Sequence, residues 1–208
     1  MVQPHAIMTF VKPYSTVLTC HPETPSQAVY GIEVGVRWMA IQTLAITYAL
    51  KGDLMQLRIP PPRPPRRAAR LWQHTCFEAF VSVKGKTEYY EFNFAPSGEW
   101  AAYGFQRYRD GMALEDNDLT PGVTVRSTAD RLDLDAIIPL DRLPTIPPRA
   151  WLQLALSAVI EDENGMLSYW ALTHPPGKPD FHHPDAFAFD FEPSNVDAVN
   201  DTAYTGKR

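Results

Sequence analysis

Cysteine is nearly absent: the 208 residues hold only Cys20 and Cys76. That excludes a framework of several disulfides. Positive charge is also short, with 19 Lys and Arg against 24 Asp and Glu and a formal net charge of -5. No global field draws such a chain to nucleic acid or anionic lipid, so neither is an expected partner. No run reaches the ~18 apolar residues of a membrane helix. The opening MVQPHAIMTFVKPYSTVLTCHPETP lacks a basic region leading into an apolar core and a small-residue cleavage site. The expectation is therefore a cytoplasmic protein in which Cys20 and Cys76 stay free thiols. Also missing are a glycine-rich phosphate loop, Gly-x-Ser-x-Gly, Cys-x-x-Cys-His, repeats at solenoid or propeller periods, and any helical periodicity sustained over three turns.

What is abundant is punctuation. Twenty prolines and 11 glycines separate short apolar runs, which favours many strands. Strands are predicted at Thr16–His21, Ala28–Trp38, Thr43–Leu50, Met55–Ile59, Leu71–Val83, Tyr89–Phe94, Trp100–Tyr108, Val123–Ser127, Leu132–Pro139, Trp151–Ile160, Leu167–Thr173 and Phe187–Phe191. Leu44, Ile46, Tyr48 and Leu50 fall on one side of their segment, as do Leu132, Leu134, Ala136 and Ile138, so each has one buried face. Asn164-Gly165 is a type I′ hairpin pair, and Ser97-Gly98 and Asp110-Gly111 are turn pairs. The expected fold is all-β: one antiparallel sandwich of about ten to twelve strands, immunoglobulin-like or jelly-roll-like, over residues 1–192, followed by a polar tail at 193–208. Helix is expected at most as a short piece near Pro139–Leu143 or in the tail. The stretch from Pro60 to Arg67, PPPRPPRR, cannot pair in a sheet and reads as a stiff extended loop at the rim.

One segment, LWQHTCFEAF (71–80), puts Trp72, His74, Cys76, Glu78 and Phe80 at alternate positions, opposite an apolar face of Phe77, Ala79 and Val81. The next strand does likewise with Tyr89, Glu91 and Asn93, and the third adds Tyr103, Phe105, Arg107 and Arg109. If these strands pair in order, Glu78, Glu91 and Asn93 share an outer face. Aromatic rings stack on the apolar C–H faces of sugars, while carboxylates, amides and guanidinium groups bond hydroxyls. Trp72 and Glu78, however, are roughly 20 Å apart on a straight strand, so one sugar reaches both only if the chain bends near Trp72.

At these residues the chain resembles the DOMON-like group related to family 9 carbohydrate-binding modules, whose members bind sugars or haem on a β-sandwich. The resemblance rests on LWQHTCFEAFV, the following YYEFNFAPSGEWAAYGFQRYRDGM and the later MLSYWALTHPPGKPDFHHPDAF. It implies a non-catalytic saccharide-binding site in which Trp72 and Trp170 are stacking rings, Glu78 accepts hydroxyls and Arg107 or Arg109 is the nearby cation, joined by Glu91 and Asn93 on the same face. Its departure from the sugar-binding pattern is Gln73-His74-Thr75, where those modules place an acidic residue soon after the first tryptophan. The haem-binding relatives imply a methionine paired with histidine or lysine, for which Met112, Met166, His174 and Lys178 are the candidates. Other readings stay open. His174, Asp180, His182, His183 and Asp185 crowd one proline-rich loop as a divalent-metal alternative, and Glu78 with Glu91 has the residue types of a glycoside hydrolase pair. No cofactor is expected on the leading reading.

Overall fold

The computed structural model describes residues 14–114 and 119–193; the expected tail lies outside them from residue 194 onward. Twelve strands form: β1 (Tyr14–Cys20), β2 (Val29–Ala40), β3 (Thr43–Gly52), β4 (Cys76–Val83), β5 (Tyr89–Phe94), β6 (Trp100–Arg107), β7 (Asp110–Ala113), β8 (Gly122–Ser127), β9 (Arg131–Pro139), β10 (Leu152–Glu161), β11 (Leu167–Ala171) and β12 (Phe189–Phe191). All pair antiparallel. One sheet runs β1-β2-β3-β9-β8 and the other β7-β6-β5-β4-β10-β11. Strand β1 serves both, pairing with β2 through Tyr14–Leu18 and with β11 through Thr19 and Cys20.

The alternation that predicts buried faces is the one that closes the sandwich. Leu44, Ile46, Tyr48 and Leu50 from β3 and Leu132, Leu134, Ala136 and Ile138 from β9 meet Phe77, Ala79, Val81, Phe92 and Phe94 in one core. The Tyr48 ring lies 5.1 Å from Phe77, and its hydroxyl crosses the sandwich to donate to the Glu78 carbonyl at 2.6 Å. Tyr48→Phe is expected to cost about 1 kcal/mol in urea unfolding, the net worth of a buried hydrogen bond with its ring contacts kept.

Two expected strands change character. Met55–Ile59 becomes a 3₁₀ turn at Leu54–Gln56, because the Asp53 carboxylate captures the Met55 N–H, leaving only a Leu57–Asp162 bridge. The segment from Leu71 is a strand only from Cys76; Leu71–Gln73 is a 3₁₀ turn entered through Arg70 at φ 59°. The short helix expected near Pro139–Leu143 is likewise 3₁₀, at Leu140–Arg142. Asp110 and Gly111 open β7 rather than making the turn, which falls on Tyr108-Arg109 with Arg109 at φ 54°. The proline-rich segment runs beside β6: Arg66 accepts the Trp100 N–H, the Ala68 N–H bonds Trp100 in return, and the Arg66 guanidinium reaches Glu99 at 2.7 Å. Cys20 and Cys76 are unbridged, and among the described residues no helix is long and apolar enough to cross a membrane.

The outer faces of the two sheets differ. That of the first carries the exposed or half-exposed ion pairs Glu33–Lys51, Arg126–Asp135 and Arg131–Asp133. That of the second is covered. Strands β11 and β12 occupy successive lengths of one edge of β10, with β4 on the other edge. The connecting residues 172–188, with prolines at 175, 176, 179 and 184, leave the ladder. They fold over the outer face, where Phe181 and Ala186 pack with Phe80, Tyr89, Ala155, Val159 and Ala171 in a second small core.

Candidate functional site

Strand register sets the floor between sheet and cover. Glu78 on β4 lies directly between Asn93 on β5 and Ser157 on β10; Glu91 on β5 lies between Tyr103 on β6 and Phe80 on β4. All are on the outward parity, yet Glu78 is 3% and Glu91 6% exposed because the cover shuts them in. A cleft of about 400 Å³ remains, lined by both carboxyl groups, by Trp72, Tyr103, Phe105, Tyr169 and Phe181, and by Arg109 and His182 at the cover. That volume is in the range of small-molecule sites.

The sequence-derived candidates divide. Trp72, Glu78, Glu91 and Arg109 converge on the cleft. The 3₁₀ turn supplies the bend that Trp72 needs, leaving its ring at the rim and half exposed. Asn93 is fully buried behind the cleft and donates through Nδ2 to Glu91 Oε1 at 2.7 Å. Arg107 points elsewhere, paired with Asp110 in solvent. Trp170 faces the interior as part of the main core, its indole N–H on Ser168 Oγ at 3.1 Å. The ring from β11 in the cleft is its neighbour Tyr169.

Phe181 and His182 are cleft residues that the sequence reading placed only in a histidine-rich loop. In that loop the histidines take different partners: His174 bonds the Thr19 carbonyl, His183 accepts the Asp185 N–H, and His182 turns inward. Met112 and Met166, the thioethers considered for haem, stand in solvent.

Arg109 and His182 are linked by Tyr89. The Arg109 backbone N–H donates to Tyr89 Oη at 3.1 Å, and Tyr89 Oη shares a hydrogen bond with His182 Nδ1 at 2.9 Å. On the other side of the ring, His182 Nε2 faces Glu91 Oε2 at 3.6 Å. The Arg109 guanidinium is itself held by Asp180 at 2.7 Å and by Tyr108.

Burial dominates the electrostatics. It pushes the Glu78 carboxyl well above the usual carboxylate range, with Glu91 adding repulsion. Glu91 is raised to about 7, again by burial, opposed by the Asn93 hydrogen bond and by Arg109. His182 is lowered to about 4 by burial and then by Arg109, opposed by Asp180. The Cys76 thiol, fully buried beside Glu78, is pushed well up, first by burial and then by that carboxyl. Burial thus favours the protonated form of both carboxyl groups and the neutral form of the imidazole beneath aromatic walls.

No protein-family model and no curated protein matches the chain. Among solved structures it is similar to a proposed carbohydrate-binding protein from Bacteroides uniformis ATCC 8492, with 14% identity over 83% of each chain and a TM-score of 0.64. It is also similar to a family 9 carbohydrate-binding module from Caldicellulosiruptor kristjanssonii in complex with cellotriose, with 10% identity over 79% of this chain and 75% of that one and a TM-score of 0.51. What the chain shares with them at these identities is the sandwich fold.

Proposed function

We propose that the protein is a non-catalytic saccharide-binding protein of the DOMON-like kind, holding its ligand between the outer face of the second sheet and the 172–188 cover. The observation that carries this reading is the meeting, in one cleft, of two buried carboxyl groups with rings from four separate segments of chain. Rings at the rim and walls suit the C–H faces of a pyranose, and the carboxyl floor suits its hydroxyls. The fold shared with carbohydrate-binding proteins supports the same reading.

Trp72 is the natural reporter, since a ligand stacked on a half-exposed indole shields it from aqueous quenchers. Titrating mono- and oligosaccharides while following tryptophan fluorescence should give saturable protection, with the sugar recovered intact. Trp72→Ala should weaken binding about tenfold to a hundredfold, the usual penalty for losing a central aromatic contact. A broad glycan panel that gives neither binding nor protection would remove the reading. A shortened sugar in the recovered material, lost in Glu78→Gln and Glu91→Gln, would replace it with hydrolysis.

A further inference from the structure

The floor of the cleft is rich in hydrogen-bond acceptors and poor in donors. Among the described residues no group donates to the Glu78 carboxyl, and its two register partners are themselves unsatisfied: Asn93 Oδ1 and Ser157 Oγ are buried without a partner. Glu91 receives a single close hydrogen bond, from Asn93. The other donors at hand are the Ser157 hydroxyl, His182 Nε2 when it carries the imidazole proton, 3.6 Å from Glu91 Oε2, and Arg109, already committed to Asp180 and Tyr108. Charge is likewise lopsided. Among the described residues at the cleft, Glu78 from β4, Glu91 from β5 and Asp180 from the cover face one cation, Arg109, while Tyr89, Tyr103, Cys76 and His182 contribute neutral groups.

A ligand hydroxyl placed here brings one donor and no charge, so the buried carboxyl groups keep their protons. An ammonium group brings three donors, no acceptor and the missing positive charge, and the surrounding rings attract it through their π faces. The geometry points to an amino sugar, a saccharide carrying a protonated primary amine, as the ligand class, with the ammonium seated over Glu78 and Glu91. This rests on the saccharide reading of the cleft. A cation at that position favours the ionised carboxylates against the burial that keeps protons on the two acids, so binding should release protons.

The test is calorimetric titration of the full chain near pH 6 with D-glucosamine, N-acetyl-D-glucosamine and D-glucose and with their β-1,4-linked dimers. The free amines should bind at least ~tenfold more tightly than their acetylated and hydroxyl counterparts, as charge-assisted hydrogen bonds to a buried carboxyl require. Repeating the titration in buffers of different ionisation heat should show proton release. Glu78→Gln, which keeps size and shape, should bring the three sugars to within about twofold of one another. Glucose or N-acetylglucosamine binding as tightly as glucosamine would overturn the ammonium assignment and leave the saccharide reading standing; no binding by any of the sugars would overturn both.

Discussion

Glu91→Gln is expected to gain about 3 kcal/mol of stability over the parent chain between pH ~4.5 and ~8, measured as the difference between their urea-unfolding free energies across that range. Glu91 is raised from 4.5 to about 7 in the fold. Over that window the folded state holds a proton that the unfolded chain releases, so stability falls as pH rises. Glutamine cannot titrate and escapes the loss. His182 works in the opposite sense: lowered from 6.5 to about 4, it costs stability as pH falls through that interval, because the unfolded chain takes up the proton first. The two slopes oppose each other between roughly pH 4.5 and 6.5, and each masks the other in the parent. His182→Gln should accordingly make the parent's decline with rising pH steeper, while Glu91→Gln makes it shallower. A Glu91→Gln chain with the same pH profile as the parent would show that burial does not hold the Glu91 proton. Glu78, raised in the same direction and in part by Glu91 itself, adds to the decline in both chains, and by less in Glu91→Gln, where that repulsion is gone.

The destabilisation that these carboxyl groups impose bears on function. A face meant only for solvent would leave its charges exposed and paired, as the first sheet does with Glu33–Lys51 and Arg131–Asp133. The second sheet instead buries two acids under a segment that supplies neither with a salt bridge at hydrogen-bond distance. Such an arrangement stores unsatisfied polarity that a ligand can satisfy, as binding sites do at the expense of stability.

Legibility in the sequence followed the same division. Strands with one dry and one wet face announced themselves: β3 and β9 alternate cleanly, and both bury the predicted side. Strand β11 did not. Both faces of Leu167–Ala171 are covered, one by the main core and one by the cleft and its cover, so Tyr169 and Trp170 are equally aromatic and parity cannot be read from polarity. The resemblance assigns Trp170 to the outer face, whereas the cleft is lined by its neighbour Tyr169. The bend at Trp72 depends on Arg70 in a left-handed conformation, which no glycine or asparagine announces. Strand β7 is a four-residue exposed edge with no hydrophobic pattern. Phe181 and His182 were hidden for another reason: nothing local says that a proline-rich loop folds back over a sheet. The available hint was an aromatic residue amid four prolines, costly to leave in water.

Phe80→Ala should be among the most damaging single substitutions on the outer face, at about 3–5 kcal/mol, and its consequences should be local. Phe80 is fully buried although it points away from the main core. Its ring meets His182 at 5.1 Å, Phe187 at 6.2 Å and Tyr89 at 6.3 Å, so it joins the sheet to both limbs of the cover. Removing it leaves a void where the cover is fastened; the cover's other apolar anchors among the described residues are Phe187 against Tyr89, Phe181 against Tyr169 and Ala186 in the small core. Phe92→Ala, at an equally buried site between the sheets, should cost a similar amount. The two should differ in what opens below the global transition. In Phe80→Ala, hydrogen exchange and limited proteolysis should accelerate within 172–188 while β3 and β9 stay protected, and ligand affinity should fall with the loss of the His182 and Arg109 placement. In Phe92→Ala the whole sandwich should loosen together, with the cleft intact in the molecules that remain folded. Uniform protection across 172–188 in Phe80→Ala would mean that the cover is held by the ladder at β12 rather than by the second core, and the cleft would then be a fixed cavity without a separable wall.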